Sequence, residues 1–523
     1  VIVGAGFGGL YALHRMRGLG LTCRVLEAGS GVGGTWFWNR YPGARCDVES
    51  LEYSYSFDAR LQQEWEWTER YAAQPEILAY IDDVAERFDL LPDVSLETRV
   101  VGTTFDEMAS GWTVDTDRGD RVRCRFVIAA TGCLSTANTP EIAGSDTFEG
   151  TTLHTGHWPE EGVELSGKRV GIIGTGSSAV QAIPVIAEEA GRLTVFQRTP
   201  QYTIPARNGP LDPGEQAEVK AGYEEFRAEN QKMANAFAAK YPSNRINAGD
   251  VSDADREAEF ELRWERGGTP FLGAFRDLVF DLDANQHAAE FVRGKIADIV
   301  QDREIAAKLT PWHPIGCKRL VIDTGYYETF NRPNVALVDV SADPIVAIRP
   351  GGLETESGLH ELDVLVFATG FDAMTGSLLR MNISGRDGLA LADAWAAGPV
   401  NYLGLAVPGF PNLFTVTGPG SPSVLANMVI AIEQHIDWIA DCVAWLDAQG
   451  AATIEARQEA ASDWVSHVNG VAERTIYPSC NSWYLGANVP GKPRVFMPLL
   501  GYPQYKRRCH EVAAAGYDGF ATS

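Results

Sequence analysis

"VIVGAGFGGLYALHRMRGLGLTCRVLEAG", Val1 to Gly29, reads as strand, glycine turn, helix, strand. Val1 to Val3 are a β-branched run that favours extended backbone. Gly4, Gly6 and Gly9 come next with G-x-G-x-x-G spacing, with Phe7 inside the turn. A second apolar strand, Cys23 to Leu26, ends in Glu27. A tight turn that opens onto a helix N-terminus holds a pyrophosphate on backbone N–H groups, and an acid ending the second strand accepts hydrogen bonds from a ribose. Glycine turns alone are common. Here strand, helix and acid all stand where dinucleotide binding needs them.

The unit recurs in "KRVGIIGTGSSAVQAIPVIAEEAGRLTVFQRTP", Lys168 to Pro200. Gly174, Gly176 and Ala179 keep the spacing, with Thr175, Ser177 and Ser178 in the turn. The second strand ends near Gln197, and Arg198-Thr199 replace the acid. A cation there suits a 2′-phosphate, hence NADPH, whereas Glu27 suits the adenosine ribose of FAD. A solvated surface Arg is the plain alternative. Two such sites in one chain imply electron transfer from a nicotinamide to a flavin.

Two apolar strands, "FVIAATG" (Phe126 to Gly132) and "LVFATG" (Leu365 to Gly370), end alike and flank the second unit. They read as the chain leaving and re-entering a flavin domain. "LFTVTGPGSPSVLANMV" then gives a strand, a turn and a helix from about Ser423. Helical spacing dominates from about 206 to 314. The expected fold class is α/β, with two Rossmann-like dinucleotide-binding domains and a helical insertion in the NADPH domain. The expected segments are 1–135 and 366–523 for FAD, 136–205 and 315–365 for NADPH, and 206–314 for the insertion, with a C-terminal loop in the last FAD segment.

With 523 residues the chain is too long for one core. Its net charge of −25 argues against nucleic acid or anionic membrane as main partner. No apolar run approaches the roughly 18 residues that span a bilayer. The eight Cys are scattered without a CxxC, so reduced thiols and a cytoplasmic location are expected. The chain opens at Val1 inside a strand, so upstream residues are expected to precede it. Disulfide reductases share the two-site plan but need a redox Cys pair after the first unit, where only Cys46 stands.

Shortly after Glu27 the chain runs "GVGGTWFWNRYPGARCDVES", Gly31 to Ser50. Gly31, Gly33 and Gly34 bring backbone close to a flavin. Trp36, Phe37, Trp38 and Tyr41 supply flat surfaces, and Arg45 and Asp47 supply charge. Further on, "FEGTTLHTGHWP" places Phe148, Gly150, His154, Trp158 and Pro159 within twelve residues. Together these resemble the type I Baeyer–Villiger monooxygenases. The second stretch meets the family fingerprint F-x-G-x-x-x-H-x-x-x-W-[PD]. The first meets its pattern [AG]-G-x-W-x-x-x-x-[FY]-P-[GM]-x-x-x-D through Gly33, Gly34, Trp36, Tyr41, Pro42, Gly43 and Asp47. The resemblance covers nearly the whole chain and is nearest the phenylacetone and steroid monooxygenase branch, in "RYPGARCDVES", "FATGFDAMTGSL", "GPGSPSVLANM" and "SWYLGANVPGKPRVFMP".

The resemblance implies an NADPH- and O2-dependent flavoprotein that turns ketones into esters or lactones through a C4a-peroxyflavin anion. It implies Arg319 as the catalytic cation with Asp47 as its partner, although "KR" before an apolar run otherwise reads as a solvated strand start. FAD would be held by Gly4, Gly6, Phe7, Gly9, Glu27, Gly34, Thr35, Trp36, Asp47, Tyr53 and Met428. NADP would be held by Gly174, Thr175, Gly176, Ser177, Ser178, Arg198, Thr199, Lys318, Arg319 and Trp483. Val48 and Leu425 would line the substrate pocket. His154 would tie the linker to the domain interface rather than move a proton, and no metal site is expected. A monomer or weak homodimer is expected. The alternatives are a flavin-containing N- or S-oxygenating monooxygenase and a non-oxygenating reductase or nucleotide-binding scaffold.

Overall fold

The computed structural model describes residues 1–523. Two five-stranded parallel sheets organise it. The first runs in the order Leu413–Thr415, Val127–Ala129, Ile2–Val3, Val25–Leu26, Val94–Ser95. The second runs Val335–Asp339, Arg192–Gln197, Arg169–Ile173, Val364–Phe367, Thr151–His154. Each carries its own apolar core, one of 61 buried residues and one of 44, so burial is divided between two bodies. Strand Val364–Phe367 straddles the boundary expected at 365/366, because its backbone pairs with both Arg169–Ile173 and Thr151–His154.

Helix Phe7–Gly18 leaves the first glycine turn and packs against Met428–Gln449, with the Tyr11 hydroxyl donating to Asp437 Oδ1 at 2.8 Å. The long helix starts at Met428, not near Ser423. Ser423 has φ +43°, Ser423–Leu425 make one 3-10 turn, and Ala426 is extended. The Asn427 side chain then accepts from Val429 N–H and caps the helix.

The insertion is divided between the two bodies. Helix Leu282–Ile299 buries Ala288, Val292 and Ile296 in the second core. Helix Tyr223–Asn230 lies on the first. There the Tyr223 hydroxyl donates to the Leu51 carbonyl at 2.8 Å, and Arg227 donates to the carbonyls of Ser54 and Tyr55. Two antiparallel meanders are among the smaller sheets that add to the expected fold. Val100–Asp106, Gly111–Thr116 and Arg121–Cys124 form an antiparallel meander beside the first sheet, and Ile345–Arg349, Gly352–Thr355 and Gly358–Glu361 form another beside the second.

Cys317 and Cys480 are joined as a disulfide, which corrects the expectation of reduced thiols for that pair. The fold brings their Cα atoms to 6.2 Å, a proximity that a separation of 163 positions hides in the sequence. The other six Cys are free.

Candidate active site

The first glycine turn is forced by close approach. Gly4 has φ +98°, and a Cβ on Gly9 would sit 1.8 Å from the Gly4 carbonyl oxygen. A Cβ on Gly34, itself at φ +55°, would come within 2.8 Å of Gly6 Cα. The two glycine stretches therefore face each other across a cradle that any side chain would fill, and bare backbone N–H groups suit a phosphate there. Glu27 is buried and holds the cradle's rim. Its Oε2 accepts from Ala5 N–H at 2.7 Å and its Oε1 from Gly29 N–H at 2.8 Å. Each oxygen keeps a second lone pair for a ribose hydroxyl. Nearby, Trp36 Nε1 donates to the Tyr53 hydroxyl at 3.3 Å, and Tyr53 meets Phe7 edge-on at 5.5 Å. Thr35 opens the short helix Thr35–Trp38, and Met428 stands half-buried at the start of its own helix.

The second turn repeats the device. Gly174 has φ +114°, and a Cβ there would meet the Ala368 carbonyl at 2.4 Å. Gly176 precedes helix Ser177–Glu189, which begins with Ser177 and Ser178. The Thr175 hydroxyl donates to the Thr199 carbonyl at 2.7 Å, tying the turn to the end of the next strand. Arg198 is exposed there, and Lys318 is half-buried close by. Burial first, and then the charge of Arg198, pull the Lys318 ammonium below its ordinary pKa. Two cations set side by side favour an anion between them.

Arg319 and Asp47 meet between the two sheets. Arg319 Nε donates to Asp47 Oδ2 at 2.8 Å and Nη2 to Oδ1 at 2.9 Å, while Nη1 donates to the Val424 carbonyl at 2.7 Å. Gln201 Nε2 anchors the Arg319 carbonyl at 2.7 Å. Burial alone would lower the guanidinium pKa, but Asp47 and then the Tyr484 hydroxyl more than offset it and hold it above the ordinary value. The group is a cation at every working pH. Val48 is buried next to Asp47, and Leu425 adjoins the Val424 acceptor, so both belong to this neighbourhood by chain position. Trp483 is half-buried, its ring 4.4 Å from that of Tyr484.

In the linker stretch, a Cβ on Gly150 would strike the Asp363 carbonyl at 2.4 Å and the Phe148 ring at 2.6 Å. Residues Thr151–His154 form an edge strand of the second sheet. His154 Nδ1 accepts from Gly156 N–H at 2.9 Å, which places the ring proton on Nε2, facing the Asn138 carbonyl without a formed bond. Burial, then His157, depress its pKa to about 4. A neutral imidazole that caps its own turn is a positioning group. Trp158 is buried in the second core, with Pro159 next to it in the chain.

Two expected flavin-side groups lie elsewhere. Tyr41 is buried in the second core and its hydroxyl donates to Gln181 Oε1 at 2.8 Å, so it joins the domains instead of offering a flat surface. Gly43 adds to that joint, since a Cβ there would meet the Gln181 carbonyl at 2.3 Å. The Arg45 guanidinium turns away to Glu69 at 2.8 Å and to the Tyr71 carbonyl at 3.0 Å. Tyr484 is a site neighbour that sequence reasoning misses. Its one signal is the aromatic pair Trp483-Tyr484, whose second member points inward when the first lies nearer the surface.

A family model described as pyridine nucleotide-disulphide oxidoreductase matches residues 1–287. A Baeyer-Villiger monooxygenase of Pseudooceanicola batsensis is 43% identical over 522 residues, covering 99% of this chain and 95% of that protein. Oxidized steroid monooxygenase bound to NADP superposes with a TM-score of 0.95 at 53% identity, covering 100% of this chain and 98% of that one. OTEMO in complex with FAD and NADP superposes with a TM-score of 0.96 at 39% identity, covering 100% and 98%.

Proposed function

This chain belongs to the type I Baeyer–Villiger monooxygenases, flavoproteins that use FAD and NADPH to convert ketones into esters or lactones, and we propose that Arg319, held by Asp47, is the cation on which its oxygen insertion depends. The match to a disulphide-oxidoreductase model reflects the two nucleotide-binding units, since Cys46 stands alone and buried where that chemistry needs a pair.

When bound, FAD takes a hydride from NADPH and activates O2. The chain's residues supply the rest. The facing glycines and Glu27 would seat the FAD pyrophosphate and ribose. Gly174, Gly176 and the Ser177 helix start would seat that of NADPH, with Arg198 and Lys318 on its 2′-phosphate. Asp47 takes two of the guanidinium's five N–H donors and the Val424 carbonyl a third. The fork therefore needs no reorientation when negative charge develops on oxygen, the condition under which electrostatic stabilisation is most effective. Trp483 and its loop would shut water out. Val48 and Leu425 would border the ketone, and aryl, cyclic or steroid ketones are the class favoured by the branch resemblance.

The observation that carries this reading is the fixed Arg319–Asp47 fork between the two glycine cradles. The test is a ketone panel, including phenylacetone, scored by mass spectrometry for one added oxygen, with Arg319→Ala alongside. The variant is expected to be reduced by NADPH and to form no ester. Ester formation at the wild-type level by Arg319→Ala would remove Arg319 from this role.

A further inference from the structure

We propose that Cys317 and Cys480 are a reversible thiol–disulfide pair, a redox-modification site whose state sets how firmly the loop carrying Trp483 is held beside Arg319. This rests on the roles given to Arg319 and Trp483 above. Cys317 stands two positions before Arg319, and Cys480 three before Trp483. The six other thiols are free, so the chain is no disulfide-stapled scaffold and the bridge marks one place. At that place the backbone supplies no tie of its own. Neither Cys480 nor Asn481 takes part in a backbone–backbone hydrogen bond, so the bridge fixes the loop's first residues to the segment that leads into Arg319.

The two sulfurs are unequal. Cys317 is fully buried, whereas Cys480 is half-buried between exposed Ser479 and Asn481. A small dithiol therefore attacks at Cys480 Sγ. The S–S bond breaks, a mixed disulfide forms on Cys480, and the electron pair leaves on Cys317 Sγ. The second thiol of the reductant then attacks its own sulfur in that mixed disulfide and frees Cys480. Two electrons and two protons pass from the dithiol, which closes to a cyclic disulfide, and a disulfide oxidant reverses each step. His313 is placed to receive the leaving sulfur. It is buried, and its Nδ1 lies 3.7 Å from Cys317 Sγ. Nδ1 also meets the Pro314 carbonyl at 3.0 Å, and Nε2 the Pro200 carbonyl at 3.2 Å. Both carbonyls only accept, and a neutral ring has one N–H, so one contact goes unmet while the bridge is closed. Burial first, and the charge of Lys318 behind it, pull the ring's pKa below its ordinary value in that state. A thiolate on Cys317 supplies the counter-charge that lets the ring take a second proton and satisfy both carbonyls. One of the two reductant protons is held there, shared by His313 and Cys317, and the other ends on Cys480 Sγ.

The test equilibrates the FAD-loaded enzyme with dithiothreitol or with its oxidised form. Acid quenching, alkylation and mass spectrometry identify which cysteines were thiols in the folded protein. Calorimetry gives the affinity for NADP, and product analysis gives the ratio of ester formed to hydrogen peroxide released. Cys317 and Cys480 are expected to become thiols under dithiothreitol without unfolding. The Kd for NADP is then expected to rise about fivefold, and the ester-to-peroxide ratio to fall by about as much, because the loop must be ordered at the moment of binding. Cys480→Ser should show the reduced values in either buffer. A bridge that opens only in denaturant would overturn the proposal. So would reduction that lowers the melting temperature while affinity and coupling stay unchanged, since the bridge would then be a plain staple. Arg319→Ala run in parallel separates the two readings. An ester-forming Arg319→Ala defeats the reading of Arg319 and leaves the thiol count untouched, whereas an inactive Arg319→Ala beside wild-type enzyme indifferent to reduction defeats only the switch.

Discussion

Arg319 and Asp47, 272 positions apart in the chain, meet as a two-point fork at 2.8 and 2.9 Å. Asp47→Asn keeps the shape but removes the charge and turns one acceptor into a donor, so the guanidinium loses a bond and its orientation. Ester formation is expected to fall about 10- to 100-fold, from a charge-assisted bond worth about 1.5–3 kcal/mol, while flavin reduction by NADPH changes little. Rapid-mixing absorbance for reduction and mass spectrometry for product separate the two. Because the side chains keep 29% and 22% exposure, the stability cost is smaller than for a fully buried pair.

Arg198 and Lys318 make a different demand, on the identity of the reductant. Arg198→Ala or Lys318→Ala removes one charged contact to a 2′-phosphate. The KM for NADPH should rise about 10- to 100-fold for each, with the KM for NADH nearly unchanged. Steady-state kinetics with both nucleotides checks this, and an equal loss for both would place these cations elsewhere.

Glu52 is expected to make stability depend on pH. It is buried, and its N–H partner Ala238 lies in the insertion at 3.0 Å. Burial first, then repulsion from Glu49, raise its pKa from the ordinary 4.5 to about 8. Between those values the native state keeps a proton that the unfolded chain has released, so stability decreases as pH rises through that window. At its steepest the slope is about 1.4 kcal/mol per pH unit. Glu52→Gln should flatten that slope, raising the melting temperature relative to wild type more at pH 8 than at pH 5. Thermal melts across this range, with parallel curves for the two proteins as the contrary outcome, decide it.

The parts of the site legible in the sequence are those written in short repeats. The glycine turns, Glu27 and Arg198 can be read from spacing alone, because a turn between a strand and a helix is a local geometry. The pairing of Arg319 with Asp47 is legible only through family resemblance, since "KR" before an apolar run carries no sign of an acid far back in the chain. Tyr41 escapes for the same reason. Its partner Gln181 is 140 positions away, and nothing local distinguishes a ring facing a flavin from one facing a neighbouring helix. The late start of helix Met428–Gln449 turns on the left-handed φ of Ser423, a backbone choice that residue type does not announce.

The Cys317–Cys480 bond turns 164 consecutive residues into a closed hoop that passes through strands of both sheets, Val364–Phe367 in one and Leu413–Thr415 in the other. Such a hoop adds a covalent tie between the two lobes beyond the continuous backbone. A single backbone nick anywhere within it would leave one molecule held together, its fragments released only after reduction.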